Sequence, residues 1–379
     1  MQIINGDCLS ELDKLKENSV DCIITDPPYE LNFMGKGWDR SGISFNKETW
    51  EKCLRVLKPG GHLLAFGGSR TFHRIACAIE DGGFEIRDTI LWLYGCGFPK
   101  SMNIGLAVDR KRGVDNTTGE VHEGKRNTGS GCYNWNDPKH AGEKISYPER
   151  KAQNEWAGWG TCLKPAYEPV IVARKPFKGT CVDNVLEYGV GGLNIDECRI
   201  DLNGEVKEKG IGFGDHIISE GYGMRKPLIT EKSTEGRFPA NIILDNPDGE
   251  EWRRYFYCAK ASKKDRDEGL DEFKEKSVYE RTNVGEGKNV AGGYAGASGS
   301  ARNFHPTVKP TTLMQYLIRL VAPKGAVILD PFMGSGSTGK AVMYENKERN
   351  ANYDFIGIEM NPDYCEIAKA RINYAKNNG

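Results

Sequence analysis

A chain of 379 residues with 38% hydrophobic and 28% charged side chains carries enough apolar material for a sizeable core, with room for one large domain and a second inserted in it. A formal net charge of −1 excludes a globally basic nucleic-acid coat, so any basic surface has to be local. No apolar run reaches the ~18 residues of a membrane span, and the 11 scattered cysteines have neither Cys-x-x-Cys nor zinc-type spacing. With no basic-then-apolar signal pattern at the start, these features predict a cytoplasmic protein without a structural metal.

Residues 2–5 read as a short strand ending at Gly6-Asp7, followed by a helix with Ser10 as its N-cap and Leu12 and Leu15 on one face. Val20–Thr25 is apolar at nearly every position, as in a parallel strand covered on both faces. Asp26-Pro27-Pro28-Tyr29 follows, then a glycine-rich loop over 31–44 with Gly35, Gly37 and Trp38 that suits a lid. A helix over 47–57 ends at Lys58-Pro59-Gly60-Gly61. Residues 62–66 read as a strand, 71–80 as a helix and 84–94 as a strand. This alternation is the mark of an α/β sheet.

From 95 to 163 the pattern dissolves. A helix is expected over 103–112; beyond it Gly, Asn, Lys and Trp occur without periodicity, and residues 100–151 hold ten basic and seven acidic side chains. A strand over 167–174 returns to the sheet. From 176 to 302 apolar density falls, with a short strand over 241–244 and a Gly/Ala/Ser-rich linker over 285–300. In that region Arg253, Arg254, Lys260, Lys263, Lys264 and Arg266 alternate with Trp252, Tyr255, Phe256 and Tyr257. The pattern fits DNA contact or an amphipathic helix with a solvated charged face. Trp135, Trp156 and Trp159 read as packing anchors or base wedges.

Order returns at His305-Pro306-Thr307-Val308-Lys309-Pro310, and 311–321 has helical apolar spacing. An apolar strand over 326–329 runs into Asp330-Pro331-Phe332-Met333-Gly334-Ser335-Gly336-Ser337, with a helix starting at 337. Another strand over 354–358 ends on Glu359, and 364–372 is the closing helix.

A strand, a glycine turn and a helix start form half of a nucleotide-type pocket, because glycines let the backbone approach a ligand where a Cβ would collide. Glu359, about 20 residues beyond the turn, stands where a ribose-binding carboxylate is expected. Phe332 occupies a place where pyrophosphate loops prefer glycine, which favours a nucleoside cofactor without phosphates. Asp26-Pro27-Pro28-Tyr29 points to the reaction. A carboxylate (Asp26) and a carbonyl (Pro27) can accept both hydrogens of an exocyclic amine and localise its lone pair. Proline fixes that carbonyl without competing as a donor, and Tyr29 offers a flat face for an extruded base.

Taken as a set, Asp26 to Tyr29, His305 to Pro310, Asp330 to Gly336 and Glu359 with Asn361-Pro362-Asp363-Tyr364 resemble the amino-group-specific DNA methyltransferases (N6-adenine or N4-cytosine). The likeness is to the group whose catalytic motif precedes its cofactor motif, bacteriophage and prophage members above all. It covers about the first 95 residues, the last 75 or so, and 163–174. The resemblance implies a doubly wound, mostly parallel, seven-stranded Rossmann-like sheet with an antiparallel strand near one edge. Its catalytic half would be 1–175, with a loop-rich insertion over about 98–163. Residues 176–302 would be an irregular target-recognition region with linker, and 303–379 the cofactor half.

It further implies S-adenosyl-L-methionine as cofactor and double-stranded DNA as substrate, flipped at the target base. Asp26, Pro27, Pro28 and Tyr29 would be catalytic, with Asp26 also bordering the cofactor. Asp7 would approach the cofactor adenine, Phe332 pack on it and Glu359 hold the ribose. His305, Thr307 and Lys309 would lie near the methionine end, and Asp330, Pro331, Gly334, Ser335 and Gly336 would form the turn. Aspartate at 26, where many N4 members carry serine, leans toward adenine. A homodimer and a restriction endonuclease are the expected partners.

Other readings remain open from the residues. Asp7 equally suits a helix cap, His305 a turn residue and Lys309 a surface lysine. For the whole chain the alternatives are an N4-cytosine enzyme, an RNA or protein methyltransferase, a catalytically silent DNA-binding protein and, more distantly, an NAD-dependent oxidoreductase.

Overall fold

The computed structural model describes residues 1–31, 37–95, 101–125, 144–202, 207–217, 225–245, 255–276 and 301–378. The lid tip around Gly35, Trp135, the stretch Trp252 to Arg254 and the 285–300 linker lie outside them.

Strand β1 (Gln2–Asn5) leads into helix α1 (Cys8–Lys14). The cap is Asp7, not Ser10: Asp7 Oδ2 accepts the Ser10 N–H and hydroxyl, both at 3.0 Å. Ser10 donates to that cap instead of being it, and the helix starts about one turn earlier than expected. β2 (Val20–Thr25), α2 (Lys47–Val56), β3 (Leu57–Phe66), α3 (Phe72–Asp81) and β4 (Glu85–Leu93) follow the expected alternation. β3 starts earlier than the Lys-Pro-Gly-Gly breaker suggests. Gly60 takes a left-handed φ of 78°, and the register shifts between the pairs Val20–Leu57 and Cys22–His62, with the extra residues on β3.

Next come α4 (Ile104–Arg112), the antiparallel hairpin β5 (Thr117–Lys125) and β6 (Lys144–Arg150), and β7 (Tyr167–Arg174). Then follow α5 (Cys181–Tyr188), a second hairpin β8 (Lys207–Ile217) and β9 (Arg225–Ser233), and the short β10 (Ile242–Leu244), β11 (Phe256–Tyr257) and α6 (Lys263–Asp267). The closing run is α7 (Thr311–Val321), β12 (Val327–Asp330), α8 (Ser337–Arg349), β13 (Asp354–Glu359) and α9 (Pro362–Asn378).

One nine-stranded sheet holds the molecule, in the order β1-β13-β12-β2-β3-β7-β4-β10-β11. Every neighbouring pair is parallel except the two made by β7, which runs antiparallel between β3 and β4. The seven expected strands are present, and β10 and β11 extend the sheet beyond β4. The region read as separate therefore gives two strands to the main sheet, because Ile243 and Leu244 are buried and pair with Trp92 and Leu93.

The central strands are apolar on both faces because both faces are covered. Leu64 and Phe66 of β3 face one cluster with α7, α8 and α9; Leu63 and Ala65 face the other with α1, α2 and α3. Each fully buried Leu there contributes about 1.5–3 kcal/mol relative to exposure. Helix α7 is buried along almost its whole length, from Leu313 to Val321, consistent with its place under the sheet. Among the described residues no helix is long and apolar enough to cross a membrane, and no His/Cys/Asp/Glu group could hold a metal ion.

Candidate active site

The two motifs that stand some 300 residues apart in sequence end neighbouring parallel strands. β2 pairs with β12 in the register Cys22–Ile328 and Ile23–Leu329, so their carboxyl ends emerge side by side. Asp330 locks them together. Its Oδ1 accepts the Thr25 hydroxyl at 2.7 Å and the Phe332 N–H at 3.2 Å; its Oδ2 accepts the Thr338 hydroxyl at 2.6 Å. Burial raises the Asp330 carboxyl to about 6, with these donors pulling the other way.

The turn after β12 needs its glycines for different reasons. Gly334 has φ +54°, and a Cβ there would stand 2.8 Å from His305 Nε2. Gly336 has φ +78°, and its Cβ would meet Ala368 Cβ at 2.9 Å. Gly336 therefore packs on α9 and, unlike Gly334 and Ser335, is not among the residues that border the cavity. The Gly334 N–H donates to Glu359 Oε2 at 2.9 Å, and Glu359 Oε1 accepts the Asn361 N–H at 2.7 Å. Burial raises the Glu359 carboxyl, opposed by those two backbone donors. Ser335 is held from behind by Arg371, whose Nη1 donates to its carbonyl at 2.6 Å.

His305 is a partly buried wall of this turn. Its Nδ1 lies 2.7 Å from the Thr307 carbonyl and therefore carries the proton. Its ring stands edge-on to Tyr364, and burial lowers it to about 3, so it is neutral.

At the other end lies Asp26, with Lys309 beside it. Its ammonium makes a short contact with Asp26 Oδ2 and lies 3.5 Å from Glu168 Oε2, 4.7 Å from the Phe66 ring and 5.4 Å from the Tyr29 ring. Lys309 is 6% exposed, a buried ion partner rather than a surface lysine. Glu168 Oε2 also accepts the Tyr29 hydroxyl at 3.2 Å. Burial raises the Asp26 carboxyl, with Lys309 as the main opposing influence. Burial would lower Lys309, but Asp26 and Glu168 outweigh it and hold the ammonium above its ordinary range.

Asp26 Oδ1 is buried and has no hydrogen-bond partner among the described residues. The Pro28 carbonyl is occupied by the Ser44 hydroxyl at 2.6 Å. Glu30, just past Tyr29, takes a left-handed φ of 54°, a conformation costly for a residue with a Cβ and typical of functional loops.

A single cavity of ≈ 620 Å³ joins these parts. Asp7, Asp26, Pro27, Pro28, Tyr29, His305, Thr307, Lys309, Asp330, Pro331, Phe332, Gly334, Ser335 and Glu359 all border it. Sequence reasoning missed Glu168, although an acid near the start of an otherwise apolar buried strand was the available signal. Among the described residues the charged lining is six carboxylates (Asp7, Asp26, Asp39, Glu168, Asp330, Glu359) against Lys309. Such a wall repels a pyrophosphate and suits a cationic sulfonium, and the Gly334 backbone borders it beside Glu359. Residues and cofactor class fit.

Residues 20–370 match the family model described as DNA methylase, the N6/N4 methyltransferases. The chain belongs to that family. S-adenosyl-L-methionine is the methyl donor, and DNA the substrate, of this methylase. It is 38% identical to the type II methyltransferase M.HpaI of Haemophilus parainfluenzae, over 98% of this chain and 74% of the relative. It is 22% identical to the type II methyltransferase M.HindIII of Haemophilus influenzae, over 99% and 96%. Among solved structures, the M1.HpyAVI–SAM complex is 20% identical with a TM-score of 0.39, covering 98% of both chains.

Proposed function

We propose that this methylase modifies the N6 amine of adenine within a specific sequence of double-stranded DNA, on a base turned out of the helix. The supporting observation is the unpartnered Asp26 Oδ1, buried on the wall of the cavity it shares with Gly334 and Glu359.

An adenine amine is a weak nucleophile because its lone pair is delocalised into the ring. In this reading Asp26 Oδ1 accepts one N–H, the Pro27 carbonyl accepts the other, and the nitrogen is drawn toward tetrahedral geometry. Tyr29 stacks on the base. When bound, S-adenosyl-L-methionine supplies a methyl group already activated by its sulfonium. The protein's part is orientation and charge placement. Glu359 and the Gly334 backbone are assigned to the adenosyl end. The Ser44 hydroxyl on the Pro28 carbonyl fixes the tetrapeptide so that only Pro27 faces the amine. Aspartate rather than serine at 26 supports adenine over cytosine. The two type II relatives support a sequence-specific enzyme whose companion is a restriction endonuclease.

Incubating duplex DNA with methyl-labelled donor and analysing the nucleosides by mass spectrometry tests the reading. Label in N6-methyladenine is expected. Label in N4-methylcytosine replaces the base assignment, and label in RNA or protein alone refutes the proposal.

A further inference from the structure

Glu168 has no part in the chemistry described so far, yet its carboxylate reaches two of the groups that do. It stands second on β7, whose following residues Val170 to Ala173 are apolar and buried. The antiparallel direction of this one strand brings its first residues, rather than its last, to the edge where β2 and β12 end. Glu168 Oε2 receives the Tyr29 hydroxyl and lies 3.5 Å from Lys309 Nζ. Lys309 is thus held between two carboxylates, nearer to Asp26.

We propose that Glu168 is a positioning residue of methyl transfer: it takes Lys309 over from Asp26 when the target amine arrives, freeing Asp26 to accept the amine's proton. The inference rests on the function proposed above.

In the balance of the reaction the amine nitrogen gains a methyl group, the donor sulfur keeps the electron pair of the broken bond, and one N–H proton has to leave. Asp26 is the group in contact with that nitrogen. A carboxylate bound to an ammonium is a poor base, its pKa lowered by ~1–3 by an opposite charge at such range. Lys309 therefore has to loosen before Asp26 can take the proton. A buried ammonium cannot simply be released, because leaving it unpaired costs several kcal/mol. Glu168 provides the second seat, and closing 3.5 Å to an ordinary charged hydrogen bond needs a shift of less than about 1 Å. The Tyr29 hydroxyl orients the same oxygen, so a base stacking on Tyr29 lands on the residue that holds Glu168 in place.

The groups facing Lys309 and Asp26 fix the sign of the pH effect. They are Tyr29 after β2, Glu168 on β7, Asp330 on β12 and the neutral His305. Glu168 raises both Asp26 and Lys309. Removing its charge moves both limbs of the rate profile to lower pH while lowering the plateau.

The test compares wild type, Glu168→Gln and Glu168→Asp in single-turnover methylation of duplex DNA across pH, with donor affinity by calorimetry. Glu168→Gln is expected to bind S-adenosyl-L-methionine within about twofold of wild type. It should lose about 10²-fold in the transfer rate, the scale of a general-base contribution, with its acidic limb at lower pH. Glu168→Asp, which restores the charge, should recover part of the rate. A Glu168→Gln enzyme with wild-type rate and unchanged limbs overturns the proposal. So does a loss confined to donor affinity or melting temperature that Glu168→Asp does not relieve. Absence of transfer to DNA by wild type removes the proposed function and this inference with it.

Discussion

Two buried lysine–carboxylate clusters behave in opposite ways. Behind the turn after β12, Lys340, 1% exposed, reaches Asp265 Oδ1 at 2.7 Å and Glu268 Oε2 at 2.6 Å. Asp265 also receives the Thr311 N–H at 3.0 Å and hydroxyl at 2.5 Å, while Arg371 joins its carbonyl to Ser335. Burial would raise the Asp265 carboxyl, but Lys340 and Thr311 prevail and hold it below the ordinary range. At the cavity, Asp26 also has a lysine, yet its carboxyl is raised and one oxygen lacks a donor among the described residues. The difference lies in the number of donors rather than in the presence of a cation. A carboxylate with every oxygen supplied is a fastening; one left short is available to a substrate.

The contrast can be broken most sharply at Asp26. Asp26→Ala should lower methyl transfer by about 10³-fold or more. Donor binding and melting temperature should change little, because Lys309 keeps Glu168; labelled-methyl assays and calorimetry check both halves. Lys340→Met should do the reverse. Removing one partner of a buried ion cluster costs about 3–5 kcal/mol of stability, read by denaturant unfolding, while the transfer rate per folded molecule is kept.

Asp330 lies between these extremes, raised to about 6 yet fully bonded. Its folded value exceeds its unfolded one, so its stabilising share is complete below about pH 4 and is lost as pH rises through about 6. Wild type should therefore lose on the order of 2–3 kcal/mol relative to Asp330→Asn across that window, seen as converging or crossing melting curves. The smallest effect is expected for Tyr29→Phe, which keeps the stacking face and removes one hydrogen bond to Glu168. A fall of about 2- to 10-fold in transfer rate corresponds to the ~0.5–1.5 kcal/mol such a bond contributes.

The sequence was most legible where both faces of an element are buried. Val20–Thr25 and Thr311–Val321 occur with the expected bounds because an unbroken or helically spaced apolar run has few other uses. The hairpin β5–β6 was not foreseen, since Thr-Thr-Gly-Glu-Val-His-Glu-Gly-Lys offers neither alternation nor a core to face. α5 was missed although Thr180 and Asp183 form a capping box, because eight residues give too little periodicity. In Tyr255 to Asp267, the charged and aromatic residues support packing over DNA contact where they are described. Phe256 stacks on Tyr316 with ring centroids 4.2 Å apart, and Arg266 donates to the His305 carbonyl. Trp156 and Trp159 stand edge to face on each other. At the site, Asp26 and Glu359 were legible because strand ends are where α/β sheets carry chemistry. Glu168 was not, because an acid at the start of an apolar strand marks a position but not its partner, and its bond to Tyr29 spans 139 residues.

The insertion of β12 between β2 and β13 has a consequence for biosynthesis. The ribosome makes Asp26 early and its opposing turn more than 300 residues later, so the growing chain has no donor seat to align with the acid. Under the function proposed above, a partial polypeptide has no complete site, and transfer waits until the last strands enter the middle of the sheet, a long-range closure of the slow kind.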